Sequence, residues 1–365
     1  MDRRSTRLDR LRATVAHHRR SSRLAEFRCT TWQAPSAGAT EPEWHTPAPG
    51  EQLAYVVFTS GSTGEAKGVT VSHAALAHFV QAARSSYRFK PEDRVLQFAP
   101  LAFDASLEEL LVTWTAGAAL VLRDDTWLDS LRGFCAASER ASISVLDLPT
   151  AFWHELTLAL EAGSARLWPG LRLVIIGGEA GLPGRLTAWQ RLAPQVRLLN
   201  TYGPAEATVV ATFADLSNWQ TSSEVPIGLP LPGVDALLVD DQGRLLDTME
   251  ATGELYLAGP TLSSGYFRRP DLTHQRFVSL PGFARTYRTG DRVTRAADGQ
   301  LTFLGRADDE LKISGYRVAP AEIEAALSKH PQVQTCAVLA ESSSAHGAKH
   351  LVAHVRRMAR ATARE

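Results

Sequence analysis

Ten consecutive residues, Thr59-Ser60-Gly61-Ser62-Thr63-Gly64-Glu65-Ala66-Lys67-Gly68, hold four hydroxyls, three glycines and one lysine. That mixture suits a polyphosphate. Glycines let backbone N–H groups approach phosphate oxygens, hydroxyls add donors and the lysine adds positive charge. The run lacks the Gly-Lys-Ser/Thr spacing of a Walker loop, so a generic nucleotide-hydrolase fold is not implied. Further on, Asn200-Thr201-Tyr202-Gly203-Pro204-Ala205-Glu206-Ala207-Thr208 places a carboxylate just after a Gly-Pro turn. Tyr287-Arg288-Thr289-Gly290-Asp291 ends on a carboxylate able to accept two neighbouring hydrogen bonds. Asp104 and Glu108 lie one helical turn apart on one face, and Asp147 closes an apolar run before Leu148-Pro149-Thr150.

The surrounding pattern supplies elements to position these groups. Leu53 to Thr59 reads as a buried strand leading into the glycine-rich loop, and Ser72 can cap a helix from His73 to Arg84. Strands are predicted at Arg94 to Phe98, Ala118 to Leu122, Ile143 to Leu146, Arg172 to Ile176 and Val196 to Leu199. Between them lie helices at Ser106 to Ala116 and Trp127 to Glu139. Strands alternating with helices imply a mostly parallel sheet covered on both faces. After Asn218, strands joined by Gly and Pro turns (Ala236 to Val239, Gly253 to Ala258, Gln300 to Leu304) point to antiparallel or mixed β-structure. A last piece has a helix at Ala321 to Lys329 and a strand at Thr335 to Leu339.

Composition is that of a globular protein: 44% hydrophobic and 21% charged residues among 365. Lysine plus arginine and aspartate plus glutamate number 39 each, so no global field favours nucleic acid. The three scattered cysteines, Cys29, Cys135 and Cys336, fit neither a disulfide framework nor a CxxC site, which suggests a reducing, cytoplasmic setting. The apolar stretch Leu110 to Leu122 is too short and too interrupted to span a bilayer. Residues 1–50 are rich in arginine and read as a poorly ordered leader and linker without the apolar segment of a targeting peptide.

The glycine-rich loop resembles the signature loop of the adenylate-forming superfamily of AMP-dependent synthetases and ligases, and Leu53-Ala54-Tyr55 is typical of its nonribosomal peptide synthetase branch. The Asn200 to Thr208 and Tyr287 to Asp291 motifs follow in the family's order, with Gly177-Gly178-Glu179-Ala180 before them. Gly253-Glu254-Leu255-Tyr256, Gly305-Arg306-Ala307-Asp308 and Lys312-Ile313-Ser314-Gly315-Tyr316-Arg317 continue the series. The resemblance implies an α/β fold, with a large layered domain over 51–307 that includes a distorted β-barrel portion. A small, incomplete α+β C-terminal domain over 308–365 would follow the hinge at Asp308. It also implies ATP and Mg²⁺ as cofactors.

By that resemblance Thr59, Ser60, Gly61, Ser62, Thr63, Gly64 and Lys67 would cradle phosphate, and Gly178, Glu179, Asn200, Tyr202 and Gly203 would surround adenine, with Tyr202 stacked on it. Asp291 would hold the ribose, Arg306 would reach the nucleotide and Glu206 would carry Mg²⁺. Lys67, Glu206 and Arg306 are the expected catalytic residues. Ala66 stands where the family usually has proline, and Ala205 where it usually has a threonine hydroxyl, so slower chemistry is expected. Lys312 and Arg317 read equally well as solvated charges on a strand.

Phe103-Asp104-Ala105-Ser106 resembles the motif of family members whose substrate is an amino acid, its aspartate pairing with the α-ammonium group. An acyl-CoA ligase has no ammonium for it, although Asp104 is also a candidate helix N-cap. The family's pocket positions fall on Asp104, Ala105, Glu108, Asp147, Ile175, Gly177, Thr201, Val209 and Val210. Like charges in a poorly solvated cleft repel by about 4 kcal/mol per close pair unless cations or protons compensate. A basic amino acid, lysine or ornithine before arginine, would compensate Glu108 and Asp147. Its adenylate would pass to the phosphopantetheine thiol of a carrier protein. No nucleic acid or membrane partner is expected.

Family members carry a longer block before the glycine-rich loop and a Gly-Lys motif beyond residue 365, which this sequence lacks. A catalytically weak remnant or split-gene fragment, completed by a partner polypeptide, is therefore the alternative expectation.

Overall fold

The computed structural model describes residues 50–59, 66–219 and 224–306, and beyond them 311–313, 316–318, 323–324, 326–327, 330, 332–342 and 349–357. A seven-stranded sheet organises the first half. Its strands run in the order Ala119–Leu122, Arg94–Gln97, Val145–Pro149, Leu173–Gly177, Arg197–Tyr202, Thr212–Asp215, Leu229–Pro230. The first five are parallel and the last two antiparallel.

Alternation along these strands decides what each face meets. Val145, Leu173, Ile175 and Leu199 join a core with Phe79, Ala83 and Tyr87 of the helix His73–Tyr87. Leu146, Leu148, Val174, Ile176 and Leu198 join a second core with Phe134, Trp153 and Trp189. Those last three belong to the helices Leu131–Arg140, Thr150–Glu161 and Pro183–Leu192. Burial on both faces explains strands as uniformly apolar as Leu-Val-Ile-Ile.

Helix boundaries follow capping chemistry. The Ser72 hydroxyl accepts from Ala75 N at 3.2 Å, and the helix ends at Arg88, whose φ of 59° is left-handed. The single helix predicted over Trp127 to Glu139 is instead a 3-10 turn, Asp125–Leu128, followed by the helix Leu131–Arg140. Two caps compete there, Asp124 accepting from Thr126 N and Ser130 from Gly133 N, so the chain starts a helix twice. The helix predicted from Ser106 to Ala116 is interrupted by a π-turn, Glu108–Val112, between short α segments Ala105–Leu107 and Thr113–Thr115. The strand predicted at Ile143 to Leu146 runs from Val145 to Pro149, and the Ile143 carbonyl accepts from the Trp168 indole.

The second half is antiparallel, as the turn-rich pattern implies. Leu245–Leu246, Asp235–Val239, Ala251–Ala258, Phe283–Arg295 and Phe277–Leu280 are neighbours in order, with Leu301–Arg306 also paired to Phe283–Arg295. This sheet stays open, so the expected barrel portion closes into no barrel among the described residues: its two-residue edge, Leu245–Leu246, pairs as a strand with Asp235–Val239 alone. Leu53–Thr59, Lys67–Ser72 and Gly265–Tyr266 form a three-stranded sheet. Toward the C-terminus, Val333–Ser342 pairs with Lys349–Arg357, extending the predicted strand at both ends. The helix predicted at Ala321 to Lys329 lies largely outside the described residues. No described helix is long and apolar enough to cross a membrane.

Candidate active site

The parallel sheet reverses its winding between Arg94–Gln97 and Val145–Pro149, because the chain leaves the first strand to one side and returns on the other. Ligands of open α/β sheets bind beyond the carboxyl ends of strands at such a point. A cavity of about 290 Å³ lies there. It is lined by Ala99 to Pro100 after one strand, Asp147 to Pro149 on the next, then Gly177, Gly178 and Thr201. Asp147, Gly177 and Thr201 share the strand parity that faces the helix His73–Tyr87, which is why one cavity collects all three.

One end of the cavity is acidic. Asp104, Glu108, Glu109 and Asp147 line it, and Glu108 and Glu109 are 4% and 2% exposed. Glu108 and Glu109 are consecutive residues of the π-turn, and both line the wall. Glu108 Oε1 accepts from the Tyr87 hydroxyl at 2.6 Å. Glu109 Oε1 accepts from the Phe98 and Ala99 N–H groups, each at 2.9 Å, fastening the strand end to the turn. Asp147 Oδ2 is buried with no hydrogen-bond partner among the described residues.

Among the described residues no lysine or arginine is ion-paired to Glu108, Glu109 or Asp147. Burial and mutual repulsion therefore hold their protons on. Burial first and the Asp147 charge second push Glu108 well above the usual carboxylate range, against the Tyr87 hydrogen bond. Burial raises Glu109 to about 8 despite its backbone donors, and burial with the Glu109 charge raises Asp147. Asp104 heads its helix without accepting a capping hydrogen bond, which removes the capping role as its explanation.

The other end of the cavity carries donors and turns. Thr59, Gly178, Gly203, Pro204, Ala205, Thr289, Asp291 and Arg306 line it. Thr59 Oγ1 is a buried hydroxyl with no hydrogen-bond partner among the described residues. Asp291, 3% exposed, accepts from the Tyr202 hydroxyl at 2.5 Å and from Arg306 Nη1 at 2.8 Å. Gly203 runs so close to the Val209–Ala211 backbone that a Cβ would fall 2.6 Å from Val210 Cα. Val209 itself sits at φ 68°, a strained setting for a β-branched residue on a cavity wall.

Most residues singled out in the sequence meet in this one cavity, and several do not. Asp104, Ala105, Glu108, Asp147, Gly177, Thr201, Val209 and Val210 line it, as do Thr59, Gly178, Gly203, Asp291 and Arg306. Ile175 does not, since two residues before Gly177 its side chain is taken up by the core. Glu179 is absent from the wall. Asn200 is turned inward, its Nδ2 donating to Pro226 O at 2.7 Å. The Tyr202 side chain is buried, and its hydroxyl donates to a lining residue, Asp291.

Lys67 and Glu206 meet each other at 3.2 Å, 5% and 0% exposed, with Tyr266 donating to Glu206 at 2.7 Å. Lys67 opens the strand Lys67–Ser72 and is buried beside, not on, the cavity wall. Residues 60–64 and Asp308 lie outside the described residues. Glu109 and Tyr87 are additions from the structure. An acid inside the apolar run Leu107 to Val112 was the available signal for Glu109, whereas nothing local marked Tyr87.

A protein-family model described as AMP-binding enzyme matches residues 4–267. Isonitrile lipopeptide synthase of Streptomyces coeruleorubidus is 51% identical over 312 residues, 84% of this chain and 20% of that protein. A nonribosomal peptide synthetase protein with adenylation and carrier domains, solved with a vinylsulfonamide inhibitor, superposes with a TM-score of 0.77 at 26% identity. That superposition covers 89% of this chain and 56% of the other. The adenylation domain AlmE of Vibrio cholerae, in complex with glycyl-adenosine-5'-phosphate, gives 0.75 at 30% identity, over 84% of this chain and 58% of that one. The chain thus spans a fifth to somewhat over half of these proteins' lengths.

Proposed function

Since the chain belongs to the AMP-binding enzyme family, we propose that its cavity receives ATP and a basic amino acid, lysine or ornithine before arginine, and joins them as aminoacyl-AMP. It is an AMP-forming ligase of the nonribosomal peptide synthetase adenylation type. The observation that carries the substrate reading is the acidic end of the cavity, where Glu108, Glu109 and Asp147 have no ion-paired lysine or arginine among the described residues. Buried carboxylates without cations are costly, and a side-chain ammonium would offset that cost.

In this reading Asp104 takes the α-ammonium group while Glu108 and Asp147 take the side-chain cation. The substrate carboxylate then lies toward Thr59, Gly203, Asp291 and Arg306, where the nucleotide would bind. A carboxylate oxygen bonds to the α-phosphorus as the bond to the bridging oxygen breaks, and pyrophosphate leaves with that electron pair. The protein contributes positioning and charge stabilisation, with no covalent nucleophile of its own. Glu206 would hold Mg²⁺, which would neutralise phosphate charge; in this structure its Oε1 faces Lys67 and Tyr266. Lys67, now paired with Glu206, and Arg306, now paired with Asp291, are the cations available to phosphate.

Residues 51–307 would form the large part and 308–365 the mobile small part, with Asp308 as hinge and a carrier-protein thiol as the acceptor of the aminoacyl group. Amino-acid-dependent exchange of pyrophosphate into ATP tests the substrate reading. Lysine or ornithine should give the highest kcat/KM in a panel of amino acids. Preference for a neutral aromatic or aliphatic residue over all basic ones would remove it.

A further inference from the structure

The residue that holds Glu108 is on no motif and does not line the cavity. Tyr87 ends the helix His73–Tyr87, is fully buried and reaches Glu108 across the core that backs the sheet. Its backbone is pinned, because Arg197 donates to Tyr87 O at 2.8 Å and to Ser86 O at 3.3 Å. Its ring lies against Phe89 and edge-on to Phe213, at centroid distances of 6.1 and 6.3 Å. The hydroxyl therefore has one place to go. A phenylalanine would satisfy every apolar contact of that ring and would bury no polar atom, so the packing alone gives no reason for the oxygen.

We propose that Tyr87 is a positioning residue for amino-acid selection: by donating its hydroxyl to Glu108 it orients that carboxylate and favours its ionised form, so that Glu108 can release its proton and accept a side-chain ammonium. The proposal rests on the basic-substrate reading above. A carboxylate that accepts a hydrogen bond is stabilised in its charged form, whereas burial and neighbouring negative charge favour the neutral acid. Facing Glu108 are Asp147 from the strand Val145–Pro149, Asp104 and Glu109 from its own segment, and Tyr87 from the helix. Of these four, three are acids that oppose its ionisation, and Tyr87 alone favours it. Removing that one donor should move further up the pH at which Glu108 gives up its proton to pair with a dicationic substrate.

The test is pyrophosphate exchange over a range of pH with wild type, Tyr87→Phe, Glu108→Gln and the double variant, using lysine as substrate and with thermal unfolding recorded for each. Tyr87→Phe should raise KM for lysine on the order of tenfold at neutral pH, with kcat and KM for ATP little changed. The limb on which KM for lysine improves with rising pH should move up by about one pH unit. Glu108→Gln should abolish that limb, and in its background Tyr87→Phe should add nothing, since the phenol would have no carboxylate to act through.

A limb that stays in place in Tyr87→Phe, or a Tyr87→Phe effect that persists in full beside Glu108→Gln, would overturn the proposal alone. Persistence of the limb in Glu108→Gln would overturn it too, and that variant remains decisive even where Tyr87→Phe does not fold. A wild-type protein that prefers a neutral amino acid would overturn the substrate reading and this proposal with it.

Discussion

Glu109 shows how one side chain serves two ends. Its carboxyl group accepts from both N–H groups at the end of the strand Arg94–Gln97, and once ionised it adds negative charge beside Asp147. Its folded pKa, raised from the ordinary 4.5 to about 8, means the folded chain keeps a proton that the unfolded chain has released. Its contribution to stability is therefore greatest at low pH and falls as pH rises through that interval. Glu109→Gln retains an oxygen for the two N–H groups and cannot ionise. Thermal unfolding midpoints followed across that interval should fall less steeply in the variant than in wild type, and equal slopes would contradict the assignment. Glu109 was legible only as an acid in an apolar run; the π-turn that carries it and Glu108 is an irregularity that hydrophobic periodicity does not encode.

Between elements, the Lys67–Glu206 pair fastens the first strand after the glycine-rich loop to the turn Ala205–Ala207. Both charges are buried, and Tyr266 from the three-stranded sheet donates to the same carboxylate. Glu206→Gln takes from the Lys67 ammonium its carboxylate while leaving the charge buried, and breaking a buried pair on one side costs about 3–5 kcal/mol. Urea unfolding should show a loss of that size in the absence of any ligand, and a change within a few tenths would mean the pair contributes little. The alternation of strands with helices and the capping residue Ser72 were readable locally. What was missed at this scale were the helices Thr150–Glu161 and Pro183–Leu192, whose apolar residues pack on a sheet face that periodicity within either helix does not reveal.

For the molecule as a whole, equal numbers of acidic and basic residues leave no net charge at pH 7, so no long-range field steers a cationic substrate. The attraction proposed for the amino acid is confined to buried carboxylates, where salt screens weakly. Accordingly kcat/KM for lysine should change little between low and high ionic strength in the exchange assay, and a steep decline with salt would place the recognition on the surface instead. The order of motifs, the α/β class and the polar residues at strand ends were determined by the sequence itself, because turn chemistry and alternation are local properties of the chain. Tertiary structure alone decided which of those residues share a cavity: Ile175 was drawn into the core, Tyr202 and Asn200 were buried, and Lys67 was spent on Glu206. Strand register and the crossing of helices over the sheet set those outcomes, and they arise from contacts between segments far apart in sequence.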